Sequence, residues 1–148
     1  RELRATGVAK AMTDASDGLY AAFVALSVEQ GLGFAFEPRE LELSDRVLRW
    51  SRTLNVDPVR LALGFGNLEL VCAADPRHEA RLRQIAKRNG VHFTRLGTVT
   101  SESGLSVESS SGTGELNNFD NERFSVGSQF TGGLAAYRER LLLADLVV

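Results

Sequence analysis

The sequence predicts a layered α+β domain in which a mixed β-sheet packs against helices. Three observations carry this expectation. Short apolar runs of strand length recur between segments whose apolar residues fall at helical spacing. Strands and helices interleave without a strict βαβ rhythm, which favours a mixed sheet over a doubly wound parallel one. The chain has 148 residues, 43% hydrophobic and 24% charged, enough for one core and too few for two comfortable ones. A single domain over residues 1–148 is therefore expected.

The elements follow in order. Val8 to Thr13 reads as a short strand, and Asp14 to Gly18 as the start of a helix that runs to about Gln30. Leu19, Ala22, Phe23 and Leu26 share one face of that helix. Gly31 and Gly33 end it, and "GFAFEP" alternates as a second strand until Pro38 breaks it. Ser44 caps a helix carrying Val47, Leu48 and Leu54, and "DPVRLAL" forms a short one with Pro58 in its first turn. Gly64 to Asn67 make a tight loop that feeds the strand "LELVCAA". Asp75 and Pro76 open a further helix that closes near Gly90. "VHFTRLGTV" is strand-like, with "GLSVES" as its expected hairpin partner. Residues 109–121 are polar and glycine-rich and are expected to form a long loop, and a last helix starts at Thr131.

Charge and composition narrow the function. A formal net charge of -2 provides no basic field for a nucleic-acid backbone, so no nucleic-acid partner is expected. No apolar run approaches a membrane span, and no membrane partner is expected. One cysteine and two histidines give no disulfide and no zinc site, and suit a reducing cytoplasm. Cys72 lies mid-strand and reads as an inert core thiol, and Trp50 as a packing residue on its helix.

Two motifs carry candidate chemistry. In "TDASDG" the carboxylates of Asp14 and Asp17 stand before a helix whose first N–H groups and positive dipole end attract anions. Two such carboxylates can hold magnesium against a phosphate, Ser16 can donate to a phosphate oxygen, and Gly18 opens the backbone. The same residues also suit a plain capping box, with Asp14 as N-cap. In "LGFGNLELV" the glycines Gly64 and Gly66 allow a close approach, and Asn67 and Glu69 can hydrogen-bond a ligand. The alternative is a glycine turn with Glu69 facing solvent.

The stretch "AMTDASDGLYAAF" resembles the "DISDGL" segment opening the C-terminal domain of the aminoimidazole ribonucleotide (AIR) synthetase-related superfamily, with thiamine-monophosphate kinases as the nearest branch. "GFGNLELV" falls where those kinases carry "GGEDYEL", and "RLGTV" where the family has a strand ending in "IG". The resemblance implies a PurM C-terminal-domain-like α/β fold. It also implies a separate N-terminal domain, missing from this chain, that forms a homodimer and supplies much of an ATP and Mg2+ site. Asp14 and Asp17 would then be magnesium ligands, Ser16 and Gly18 phosphate contacts, and Gly64, Gly66, Asn67 and Glu69 the rim facing a small-molecule substrate. The family's two adjacent acids are replaced here by Gly66 and Asn67. Two readings stand: half of an ATP-dependent kinase or synthetase, or a domain that kept the fold as a non-catalytic ligand-binding or protein-interaction module.

Overall fold

The computed structural model describes residues 2–64, 66–109, 112–117, 133–143 and 145–146. Helix α1 (Glu2–Thr6) leads into β1 (Ala9–Asp14), α2 (Leu19–Leu26) and β2 (Gly33–Phe36). Two helices follow, α3 (Asp45–Leu54) and α4 (Pro58–Gly64), then β3 (Leu70–Ala74) and α5 (Glu79–Arg88). The chain continues through β4 (Gly97–Thr100), β5 (Gly104–Ser109), β6 (Gly112–Asn117), α6 (Gly133–Leu143) and β7 (Asp145–Leu146). The expected mixed α/β architecture is present, divided between two sheets.

The larger sheet has the order β4-β2-β5-β6-β7 and the smaller one is a β1-β3 ribbon. β2 runs parallel to β5 and antiparallel to β4, so Gly33 lies opposite both Gly104 and Thr100. A side chain at Gly33 has no room: a Cβ there would stand 1.9 Å from the Glu102 carbonyl oxygen. The expected hairpin between "VHFTRLGTV" and "GLSVES" does not form, because β2 inserts between the two strands. β5 instead pairs with β6, Ser106 opposite Glu115 and Glu108 opposite Thr113. The expected loop 109–121 therefore contains a strand over 112–117, in which Leu116 is buried. Residues 110, 111 and 118–121 of that loop lie outside the described residues, as does the Thr131 helix start.

The core sits between α2 and the sheets. Phe23, Phe36, Leu63, Val107 and Leu116 are fully buried, joined by Ala15, Leu19, Ala22 and Val71. Phe23 tilts against Phe34 and Phe36 at centroid distances of 4.4 and 5.4 Å, separations at which aromatic rings attract one another. α2 ends at Leu26 rather than Gln30. The buried Ser27 hydroxyl donates to the Phe23 carbonyl at 2.6 Å, and a 3-10 turn over Val28–Gln30 carries the chain to Gly31. α3 buries only Ser51 fully and leaves Trp50 48% exposed, so the expected packing role of Trp50 is at most half realised. Cys72 is half-buried, and burial pushes its thiol pKa up, which disfavours the reactive thiolate. Among the described residues no helix is long and apolar enough to cross a membrane.

Two local features give small, measurable effects. Ser44 is the N-cap of α3, its hydroxyl accepting the Val47 N–H at 3.4 Å. Ser44→Ala is expected to cost about 0.5–1 kcal/mol, the lower part of the N-cap range because the bond is long, read by denaturant unfolding. Asp75 opens the 3-10 turn before α5 and accepts two bonds at once from the Arg77 guanidinium, at 3.0 and 2.6 Å. That cation holds the Asp75 carboxyl well below the usual carboxylate range. A depressed acid pKa stabilises the fold above the unfolded-state pKa and loses that contribution as pH falls through the folded value. Asp75→Asn should therefore flatten the acid limb of the unfolding curve below about pH 4. Because the Arg77 guanidinium is exposed, added salt should shrink the difference.

Candidate functional site

The two sequence motifs meet in space through Ala15. The Ala15 N–H donates to the Glu69 carbonyl at 2.9 Å, and the Ala15 carbonyl accepts the Asn67 N–H at 2.9 Å. The first bond continues the β1-β3 ladder one residue past its last pair, Asp14 opposite Leu70, and the second leaves that register to hold the loop at Asn67. The ladder thus fixes the "TDASDG" turn against the 66–69 loop by main-chain bonds, whatever side chains they carry. Ala15 is buried and its small side chain joins the core.

Asp14 closes β1 and is not the helix cap. Its Oδ1 accepts the Ser16 N–H at 3.0 Å and also the Ser16 hydroxyl. An aspartate that bonds the main chain two residues on forms an Asx-turn, which ends a strand as readily as an N-cap starts a helix. The chain then folds through a tight turn in which the Gly18 N–H donates to the Ala15 carbonyl at 3.0 Å. α2 begins only at Leu19, with Gly18 as its N-cap and no side-chain cap bond. The capping-box alternative is overturned: Asp14 and Asp17 flank a strand end and a turn, not one turn of helix. Asp17 is partly buried, its Oδ1 shielded from solvent.

Gly18 has a structural reason to be glycine. Its backbone angles are φ 96° and ψ 156°, a region closed to other residues. A Cβ at this position would stand 2.6 Å from the Leu63 carbonyl oxygen and within 3.3 Å of the Gly64 carbonyl group. The end of α4 thus backs directly onto the turn. Gly64 is buried in that contact, Gly66 is half-buried, and Asn67 and Glu69 are exposed. Asn67 Oδ1 accepts the Glu69 N–H at 3.1 Å, so its side chain shapes its own turn. Next to it Leu68 is 97% and Leu70 68% exposed.

Along α2, a cleft of about 770 Å³ opens between that helix and the larger sheet, lined by none of the residues of the two motifs. Tyr20, in the first turn of α2, lines it together with Ser101, Ser103, Glu108 and Glu115. The Tyr20 phenol is protonated at neutral pH in any case, and burial raises its pKa further. Sequence reasoning missed Tyr20 and this wall. The usable signal was the alternation in "GLSVES", which places Ser106 and Glu108 on one face of a strand.

A search of curated proteins found no match to this sequence. The family model described as "AIR synthase related protein, C-terminal domain" matches residues 1–110. The chain belongs to that family. Solved structures similar to this AIR synthase-related domain include thiamine-monophosphate kinase from Stenotrophomonas maltophilia. It shares 25% identity with a TM-score of 0.61, over 72% of this chain and 33% of that one. The hydrogenase maturation protein HypE of E. coli matches at 22% identity and a TM-score of 0.65, over 80% of this chain and 38% of its own. AaThiL complexed with AMPPCP and TMP matches at 23% identity and a TM-score of 0.52, over 68% of this chain and 30% of its own. The last two support the fold alone. The domain spans about a third of the length of each of these structures.

The donors of the turn match magnesium in type and number. Among the described residues there is no group of three or more His, Cys, Asp or Glu that could enclose a metal. Magnesium bound with a nucleotide takes only one or two protein carboxylates, with phosphate oxygens and water completing its shell. Asp14 and Asp17, on either side of Ala15 and Ser16, are a donor set of that kind.

Proposed function

We propose that this domain contributes one wall of an Mg2+- and ATP-dependent active site, in a protein whose other wall is a separate N-terminal domain that also makes the homodimer. The observation that carries the reading is the Ala15 clamp, which joins the "TDASDG" turn to the 66–69 loop by backbone hydrogen bonds alone. The family membership and the likeness to a thiamine-monophosphate kinase support it. Asp14 and Asp17 would hold the ion, which when bound neutralises negative charge on a phosphoryl group. Ser16 and the amides that follow Gly18 would orient phosphate oxygens, since the first N–H groups of a helix lack partners within it. Most of phosphoryl-transfer catalysis is positioning and charge stabilisation, and both tasks are within reach of these groups.

The substrate is a small molecule approached from the rim formed by Gly64, Gly66, Asn67 and Glu69. The rim keeps Glu69 but carries Gly66 and Asn67 where the kinases have an acid pair, so it makes a weaker demand for a cationic substrate than theirs does. A second reading, a binding module without chemistry, is favoured by Leu68 and Leu70, whose exposure suits contact with another protein surface. Titration calorimetry with Mg–ATP tests the first reading. The lone domain is expected to bind weakly or not at all, and the protein including its N-terminal domain to bind with a requirement for the metal. Tight binding by the lone domain would remove the need for a companion.

A further inference from the structure

We propose that Arg60 and Arg138 are positioning residues for the β1–α2 turn, locking the C-terminal helix α6 onto α3 and α4 so that α4 holds its place behind Gly18. The functional consequence rests on the site proposed above; the mechanical coupling does not. α6 lies beyond residue 110, outside the segment that the family model matches. Among the described residues, two hydrogen bonds that reach across the chain join it to the rest. The Arg138 Nε of α6 donates to the Leu54 carbonyl, the last residue of α3. The Arg60 Nη1 of α4 donates at 2.9 Å to the Leu142 carbonyl, in the last turn of α6.

Each bond meets a need. The last carbonyls of a helix have no partner within it, and they sit at the negative end of its dipole. In α3 the Ser51 and Arg52 carbonyls are taken by the N–H groups of Val56 and Asn55, and Leu54 is served from α6. Guanidinium donors are well suited to such carbonyls because the bond is charge-assisted. The bonds form a relay: α6 supplies a cation to the end of α3, and α4 supplies one to the end of α6.

α4 transmits this constraint. It has only seven residues, too few to be stable without tertiary contacts. Its start is fixed by Asp57, whose Oδ1 accepts the Val59 N–H at 2.8 Å and the Arg60 N–H at 3.3 Å. Leu61 joins Val56, with Val47 and Leu54 of α3 against them. Two residues further on, the Leu63 carbonyl is the atom that a Cβ at Gly18 would strike. A shift of α4 therefore opens or crowds the turn carrying Ser16 and Asp17.

Residue-resolved amide hydrogen exchange on Arg60→Met and Arg138→Met tests this; methionine keeps much of the apolar stem. Exchange at Leu61, Ala15, Gly18 and Asn67, all hydrogen-bonded amides, should quicken about tenfold or more, the scale of a lost bond to a charged group. Amides of β2 and β5 should not change. Three results would overturn the proposal: acceleration confined to α6, equal acceleration throughout the larger sheet, which marks α6 as a general stabiliser, or no change at all. No nucleotide enters this measurement, so its failure is separable from failure of the proposed function.

Discussion

Gly18→Ala is expected to destabilise the domain by about 3–5 kcal/mol, roughly a 10 °C fall in melting temperature for a chain of this size. Two costs add. The backbone at φ 96° and ψ 156° is accessible in practice to glycine alone, at a penalty of about 1–3 kcal/mol for any other residue. The new methyl would then sit 2.6 Å from the Leu63 carbonyl oxygen, a backbone atom that cannot swing aside as a side chain would. Relief requires α4 to retreat, which loosens the fully buried Leu63 from its place in the core. Gly31→Ala is the internal control. Gly31 also has positive φ, 71°, yet a Cβ there meets nothing within 4 Å, so only the conformational penalty of about 1–2 kcal/mol applies. Thermal unfolding of both variants measures the difference. Equal melting temperatures would show that α4 does not press on the turn.

This contact illustrates what the sequence could and could not disclose. The order of elements from β1 to β5 was legible because each is announced locally, by apolar period, by proline and glycine punctuation, or by a cap such as Ser44. The partnership of strands was not. β2 pairs in parallel with β5, far along the chain, and no local pattern distinguishes that neighbour from β4 on its other side. β6 was hidden because "GTGELN" has the composition of a loop and becomes a strand only by pairing with β5. The same limit governs the site. Asp14, Ser16, Asp17 and Gly18 stand out as residue types, but aspartate serves an Asx-turn and a helix cap equally well, so local chemistry could not choose between them. Ala15 gave no chemical signal whatever. Its role as the clamp lies wholly in its main chain, and Gly18 is glycine because of a helix distant in sequence, α4.

On the proposed function, Asp14→Asn and Asp17→Asn should each lower ATP turnover by about 100-fold or more in a protein that carries the proposed N-terminal domain, the scale seen when a charge-stabilising group is removed from an active site. The substitutions are isosteric, and the Asx-turn tolerates the first of them. The Asp14→Asn amide keeps a side-chain oxygen able to accept the Ser16 N–H, as the Asp14 carboxylate does, so the turn and its register with the 66–69 loop should persist. What changes is charge: a neutral amide oxygen is a poorer partner for a hard divalent cation than a carboxylate. The apparent requirement for magnesium should therefore rise in both variants, and higher magnesium should restore part of the lost rate, while the melting temperature stays close to that of the parent. A binding module without chemistry predicts another pattern, with no turnover in the parent and no magnesium dependence to alter. Unchanged turnover in Asp17→Asn, with the parent active, would leave the chemistry to groups outside this turn and reduce its aspartates to a structural device that ends one strand and starts one helix.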